Sequence, residues 1–131
     1  MRHRVLFQSP ALLLEYDMVD DFIHAQWTAQ QSEDSMRAGY EQILEALQQN
    51  FCHRLLDNHL LIQENWAGLV SWFATDWYPR AQQAGLHAHT VVFSLDFFGR
   101  RSTELALEMV PGGLVAGFDS QDDARNALLH L

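Results

Sequence analysis

Lysine is absent from this 131-residue chain, so all eight basic residues are arginine. The net charge is −9, and the arginines are scattered along the sequence. Nucleic acids and anionic membranes bind to clustered positive charge, which this sequence does not contain. We therefore expect neither nucleic acid nor an anionic membrane surface as a partner.

Cysteine occurs once, at Cys52, which excludes an intrachain disulfide and a cysteine-rich zinc site. This usage predicts a reducing, cytoplasmic location. No apolar run approaches the roughly 20 residues that span a bilayer, so we do not expect an integral membrane protein. The apolar start of the chain is interrupted by Gln8, Ser9 and Pro10 and lacks the cleavage pattern of a signal peptide.

Aromatic residues are concentrated in residues 64–85, which hold three of the four tryptophans. Trp66, Phe73 and Trp77 recur at helical spacing and predict one buried helix face, whereas Trp72 and Tyr78 lie off that face. Pro79 predicts a kink, or a helix that ends and restarts with the proline in a first turn. We expect this segment to determine what the chain binds.

Periodicity and turn residues predict one domain over residues 1–131, of the α/β class, with a mixed β-sheet of about five strands flanked by about four helices. An antiparallel hairpin comes first, and alternating strands and helices follow and predict mostly parallel pairing. The predicted strands are residues 11–17, 22–28, 51–57, 87–95 and 114–118, with a short extra strand possible at 4–7. The predicted helices are residues 32–49, 64–85, 97–109 and 120–131.

Several segments resemble SpoIIAA-like (STAS-type) domains, especially the small free-standing bacterial members. They are IHAQW at 23–27, LLDN at 55–58, DWYPR at 76–80, AGL at 84–86, Trp66, and the segment from Phe118 to Leu131. The resemblance implies a small sheet flanked by helices. It also implies a domain that docks to protein partners or, as in CRAL-TRIO-like relatives, holds an apolar ligand.

The chain differs from the anti-sigma-factor antagonists of this family that are switched by phosphorylation. Those proteins carry Asp-Ser-Ser-Gly where the strand after the first helix meets the next helix. Here no serine follows Asp57 until Ser71, well inside the predicted helix. A phosphate on Ser71 would lie away from the amides of a helix start, so we do not expect a phospho-switch of that kind.

Candidate site residues follow the strand that ends near Asp57 and occupy the aromatic segment. Each also has a structural interpretation: Asp57 and Asn58 suit a turn, Asp76 and Arg80 a local ion pair, and the tryptophans a core. The aromatic excess could also form a dimer face or cover an apolar pocket. The predicted ligand or partner surface comprises Asp57, Asn58, Trp66, Trp72, Asp76, Trp77, Tyr78, Arg80, Phe97 and Phe98.

No catalytic motif stands out, so we expect neither enzymatic activity nor a cofactor. His87 and His89 are two apart on a predicted strand and are weak metal candidates, with His24 as a third ligand. The sequence favours a non-enzymatic STAS-like interaction or regulatory module, expected as a homodimer or bound to another protein. The alternative is a carrier or sensor of a small fatty-acyl or lipid-like ligand beneath residues 64–85.

Overall fold

A computed structural model describes residues 2–131. Its centre is a six-stranded mixed sheet in which the strands lie side by side in chain order. The strands are β1 (His3–Gln8), β2 (Leu12–Asp17), β3 (Phe22–Trp27), β4 (Arg54–Asn58), β5 (Ala88–Val92) and β6 (Val115–Phe118). The pairs β1–β2 and β2–β3 are antiparallel, and the remaining three pairs are parallel.

The α/β class and the predicted hairpin are confirmed, but the sheet has six strands where about five were expected. The additional strand is β1, the short extra strand that was considered possible at residues 4–7, and it pairs with β2 along most of its length. Leu6 and Phe7 pack partly buried against the core, whereas Val5 remains 56% exposed. Pairing with β2 therefore establishes the strand where the local sequence leaves it open.

The helices are α1 (Glu33–Gln49), α2 (Val70–Trp72), α3 (Tyr78–Gln83), α4 (Phe97–Met109) and α5 (Gln121–Leu129). Ser32 caps α1 and Ser120 caps α5, as predicted, and the Asp96 side chain caps α4 by accepting from the amide of Gly99. None of these helices is long and apolar enough to cross a membrane.

The aromatic segment is a continuous helical run built from different turns. A 3-10 turn (Ala67–Leu69) leads into α2, a π-helical turn (Phe73–Trp77) follows, and α3 completes the run, which we call the aromatic helix. Pro79 lies in the first turn of α3, as one of the two predicted arrangements has it, but the helical run continues through this point instead of ending and restarting. The wider π turn precedes the residue that lacks an amide hydrogen, so the chain passes Pro79 without ending the helical run.

Two hydrophobic clusters lie on opposite faces of the sheet. The larger one packs α1, the aromatic helix and α4 against one face, and the smaller one packs α5 against the other. Alternation along the strands assigns side chains to these faces: Leu55 belongs to the larger cluster and Leu56 to the smaller. By the same alternation, Asp57 and His89 point towards the aromatic helix.

Candidate functional site

Asp57 is the centre of a buried polar cluster beneath the aromatic helix. Its side chain is 0% exposed, at the end of β4. One carboxylate oxygen, Oδ1, accepts a hydrogen bond from Trp27 Nε1 at 2.7 Å, and the other, Oδ2, accepts one from the Tyr40 hydroxyl at 2.7 Å. The carboxylate thus joins β4 to β3 and to α1.

Two histidines complete the surroundings of this carboxylate. His89 Nε2 lies 3.1 Å from Asp57 Oδ2, and His59 Nε2 lies 3.1 Å from Oδ1. The Tyr40 hydroxyl is also 2.9 Å from His59 Nε2. Four side chains from four different elements therefore converge on one carboxylate.

Burial would raise the pKa of Asp57, because it penalises the charged carboxylate, but His59 and His89 outweigh this effect and hold the pKa well below its usual range. The pKa of Tyr40 shifts in the opposite direction. Burial, followed by the charge and hydrogen bond of Asp57, raises the pKa of the Tyr40 hydroxyl well above its usual value. The cluster therefore contains an ionised Asp57 and a neutral Tyr40 over the whole physiological range.

His59 links the cluster to α4. Its Nδ1 lies 3.0 Å from the Thr103 hydroxyl, which in turn lies 3.1 Å from the Gly99 carbonyl oxygen. The Thr103 hydroxyl, the His59 imidazole and the Asp57 carboxylate are linked in the same order as the catalytic triad of acyl-transfer enzymes. All three side chains are 1% exposed or less, so a substrate has no path to the Thr103 hydroxyl.

Aromatic rings fill the space between this cluster and the aromatic helix. The Tyr40 ring centroid lies 4.9 Å from that of Phe73 and 5.0 Å from that of Trp77, and the Tyr78 ring stacks on His89 at 5.8 Å. Trp77 Nε1 donates to the Tyr40 carbonyl oxygen at 2.7 Å. The predicted core role of the tryptophan stripe is confirmed, since Trp66 and Trp77 are 1% exposed or less.

Four large apolar side chains are exposed where β4 and β5 end. Leu61 follows β4, Leu95 follows β5, and Phe97 and Phe98 begin α4. Their exposed fractions are 56%, 82%, 73% and 57%, respectively. Leu61 and Leu95 line one open groove of about 310 Å³, and the Phe97 and Phe98 ring centroids are 5.4 Å apart. We call Leu61, Leu95, Phe97 and Phe98 the carboxyl-edge surface.

Backbone and side-chain hydrogen bonds hold the two loops of this surface together. The Leu95 amide donates to the Leu60 carbonyl oxygen at 3.2 Å, and the Ser94 hydroxyl donates to the Ile62 carbonyl oxygen. Gly99 packs against the same loop so closely that an added Cβ would lie 2.8 Å from the Ile62 oxygen. The loops are therefore fixed relative to each other and to α4.

The same loops are attached to the buried polar cluster. The His59 amide donates to the Val92 carbonyl oxygen at 3.0 Å, which joins the start of one loop to the end of β5. The side chains of His59 and Thr103 meet in the cluster, one from that loop and one from α4. A buried carboxylate thus lies at the base of a rigid apolar surface.

Four predicted surface residues are buried, which corrects their assignment to a ligand or partner surface. Asp57, Trp66, Trp77 and Tyr78 are each 2% exposed or less. Strand alternation turns Asp57 inwards, and the π turn rotates Tyr78 onto His89, although a regular helix would place it off the core face. Binding a partner through any of these four would require the aromatic helix to move.

The other predicted residues on the aromatic helix contact one another and side chains of α1. Arg80 bonds Asp76 at 2.9 Å and Glu41 at 3.0 Å, and the guanidinium groups of Arg37 and Arg80 lie over the half-buried ring of Trp72. Such exposed ion pairs contribute a few tenths of a kcal/mol, about the amount expected of an i,i+4 pair. The turn role of Asn58 is also present, since its Oδ1 accepts from the Leu60 amide at 3.1 Å.

The histidines proposed as metal ligands do not converge. His89 is buried against Asp57, His87 is exposed before β5, and His24 lies on the opposite face of the sheet, where α5 packs. Over residues 2–131, no group of three His, Cys, Asp or Glu side chains could hold a metal ion. His87 and His89 are two residues apart in the sequence. His87 lies before β5, however, so the alternation of side chains along the strand does not place it on the same face as His89.

Sequence reasoning missed Leu61 and Leu95 as site residues, and Tyr40, His59 and Thr103 as partners of Asp57. A usable signal for the cluster was the acidic Asp57 within a buried strand, because a buried charge requires partners. For the surface, the signal was two leucines in the polar loops that follow successive parallel strands.

Neither family models, nor curated proteins, nor solved structures gave a match to this chain. The resemblance to STAS-type domains therefore remains a prediction.

Proposed function

We propose that this chain is a non-enzymatic, STAS-like protein-interaction module that docks through the carboxyl-edge surface. The supporting observation is the exposure of Leu61 and Leu95 on two mutually bonded loops, and of Phe97 and Phe98 at the start of α4. Contiguous apolar patches of several hundred Å² on a monomer mark interaction sites, whereas single exposed leucines are ordinary. The carboxyl edge of the parallel strands is also where open α/β sheets commonly bind their ligands.

Rigidity supports a docking role for this surface. The loops are tied to each other, to α4 and to the buried Asp57 cluster. A preorganised surface loses little conformational entropy on binding, so more of its apolar burial appears as affinity. Aromatic anchors such as Phe97 and Phe98 carry a large share of the binding energy in protein interfaces.

The occupant that we propose is a second copy of the chain. A two-fold interface brings the same patch of both subunits together, so an apolar patch is complementary to itself. Two chains of net charge −9 repel each other, and salt screens this repulsion over about 8 Å at physiological ionic strength. Association should therefore strengthen as salt is added, whereas binding to a basic partner would weaken.

Sedimentation equilibrium across a range of protein and salt concentrations tests this proposal. We expect concentration-dependent dimers of the wild-type chain, and monomers of the double variant Leu95→Ser/Phe97→Ser. The control is Phe51→Ser, which removes another exposed aromatic ring. Phe51 is 83% exposed and precedes β4, so it lies at the amino end of the parallel strands, away from the carboxyl-edge surface. Its substitution should leave dimerisation unchanged. A wild-type chain that is monomeric throughout, or a double variant that dimerises normally, would contradict the proposal.

The alternative proposal, a carrier of a fatty-acyl or lipid-like ligand beneath residues 64–85, has one supporting observation. The π turn at Phe73–Trp77 is an irregular helical geometry that often occurs at functional sites. Because the rings of Tyr40, Phe73 and Trp77 now occupy the space, the ligand would have to displace them. Oleate would then change tryptophan fluorescence in a saturable manner, and an unchanged spectrum would argue against carriage.

A further inference from the structure

His53 and His87 form an exposed pair of imidazoles at the amino ends of β4 and β5. His53 immediately precedes β4 and His87 immediately precedes β5, so the parallel pairing of these strands places them side by side. Their ring centroids are 5.9 Å apart, with 33° between the ring planes. Both residues are exposed.

The backbone fixes the spacing of this pair. The amides of His87 and Ala88 both donate to the His53 carbonyl oxygen, at 3.1 and 3.3 Å. Gly85, at φ +105°, lies beneath the His53 ring, and an added Cβ would be 2.5 Å from His53 Nδ1. The glycine therefore allows the imidazole to lie against the turn that leads into β5.

Neither imidazole is committed to another side chain. Within the part of the chain that the structure describes, no hydrogen bond or ion pair involves the side chain of His53 or His87. The histidines of the buried cluster, by contrast, are both bonded to Asp57. The nitrogens of the exposed pair are thus available to an external ligand.

We propose that His53 and His87 bind a divalent ion of the Cu²⁺, Ni²⁺ and Zn²⁺ class, each through one ring nitrogen. Imidazole is a preferred ligand of these ions, and each metal–nitrogen bond is about 2.0–2.1 Å long. The donor nitrogens must then lie about 3–4 Å apart, and the proposal requires the two exposed side chains, whose ring centroids are 5.9 Å apart, to rotate into that geometry.

Two protein ligands leave the other coordination positions to water. No third His, Cys, Asp or Glu completes a site within residues 2–131, so the ion remains open to solvent. An open, two-imidazole site should follow the general order of divalent affinities, with Cu²⁺ bound more tightly than Ni²⁺ or Zn²⁺. It should not bind Mg²⁺ or Ca²⁺, which require oxygen ligands.

Isothermal titration of the tag-free chain with Cu²⁺, Ni²⁺, Zn²⁺ and Mg²⁺ tests the site. His53→Gln and His87→Gln should each weaken Ni²⁺ binding by at least about tenfold, because either change leaves a single ligand in place of a chelate. His130→Gln, which removes another exposed histidine, should have no effect. Thermal melting without metal should show that all three variants are as stable as the wild-type chain.

Two results would overturn the proposal. One is Ni²⁺ affinity that is unchanged by His53→Gln or by His87→Gln. The other is binding lost equally on His130→Gln, which would indicate unspecific association with exposed histidines. NMR line broadening by Ni²⁺ gives an independent measurement, since it should centre on His53 and His87 and decrease with distance from them.

Discussion

Asp57 and Phe97 lie at the same end of the sheet, yet the carboxylate is fully buried and the aromatic ring is 73% exposed. The two residues reverse the usual distribution of polar and apolar groups. The buried charge is stabilised by four side chains that contact it. The exposed Phe97 ring contributes little to folding, and our proposal assigns it a role in binding.

The comparison distinguishes buried contacts that the folded state needs, such as those of Asp57, from exposed side chains that the folded state only accommodates, such as Phe97. Removing the acceptor of a buried network leaves every donor unsatisfied and desolvated. Removing an exposed ring changes the folded and unfolded chains alike. The buried cluster should therefore govern stability, while the carboxyl-edge surface should govern association and contribute little to stability.

Asp57→Ala should produce the largest change. The substitution leaves Trp27, Tyr40, His59 and His89 without their shared acceptor, and breaking a buried pair of this kind costs about 3–5 kcal/mol. Because a domain has a total stability of about 5–15 kcal/mol, the variant should be partly unfolded or close to it. Urea denaturation followed by circular dichroism measures the loss.

The matched control is Asp76→Ala, which removes a carboxylate that is 54% exposed from the aromatic helix. Its free energy of unfolding should stay within about 0.5 kcal/mol of the wild-type value. If Asp57→Ala lost no more than this control, the carboxylate would not be the organising centre of the buried cluster.

Acid titration should divide the polar groups into two pH windows. Burial, the largest effect, lowers the pKa of His24 to about 4 from its ordinary value near 6.5. The unfolded chain therefore binds the proton first, and stability should fall by up to about 1.4 kcal/mol per pH unit between about pH 6.5 and 4. His24→Gln should flatten this window.

The second window belongs to Asp57 and Asp17. The folded pKa of each carboxyl is lowered, so their contributions are complete above the unfolded pKa, near 3.9, and are lost as the pH falls further. Denaturation midpoints of the wild-type chain and His24→Gln, measured across both windows, separate His24 from the carboxyls. A slope above pH 4 that persists in His24→Gln would contradict the assignment to His24.

Replacing Leu95 and Phe97 with serine should change stability far less than Asp57→Ala. The two side chains are 82% and 73% exposed, so the free energy of unfolding should stay within about 0.5 kcal/mol. Thermal melting at a low protein concentration, where dimers do not contribute, checks this. A large loss would place the carboxyl-edge surface within the folding core.

The sequence allowed the class of the fold and its helix caps to be predicted, because these depend on local patterns. Ser32 and Ser120 precede acidic first turns, and the strand pattern of residues 22–28 alternates clearly. The first strand could not be assigned with equal clarity, since β1 is defined by pairing with β2. Its apolar run, Val5 to Phe7, is only three residues long and lies just before the break at Pro10.

The candidate site was predicted only in part, for a similar reason. Phe97 and Phe98 were among the predicted candidates, and the structure places them at the surface, but Leu61 and Leu95 come from loops that only the sheet brings together. Tyr78 was misplaced because the π turn changes the helical phase by one residue. Long-range pairing and irregular helical geometry are not visible in a periodic pattern.

Phe51 is the position with the smallest expected effect on stability. Like Asp57 and Phe97, it has an exposure that is unusual for its residue type. The residue is 83% exposed and has φ +49°, and it follows α1 as the C′ residue of a Schellman motif. The Phe51 and Cys52 amides donate to the Gln48 and Leu47 carbonyl oxygens. Glycine is the usual residue here, because a side chain in this left-handed conformation costs about 1–2 kcal/mol.

Phe51→Gly should therefore stabilise the chain by about 0.5–1 kcal/mol, since the relief of strain exceeds the added flexibility of the unfolded chain. Phe51→Ala is the matched comparison, because it removes the exposed ring and keeps the strained backbone, and should be nearly neutral. Urea denaturation distinguishes them. If both variants lose stability equally, the ring itself contributes to folding, and the distinction between buried determinants and exposed apolar residues would not extend to this edge of the sheet.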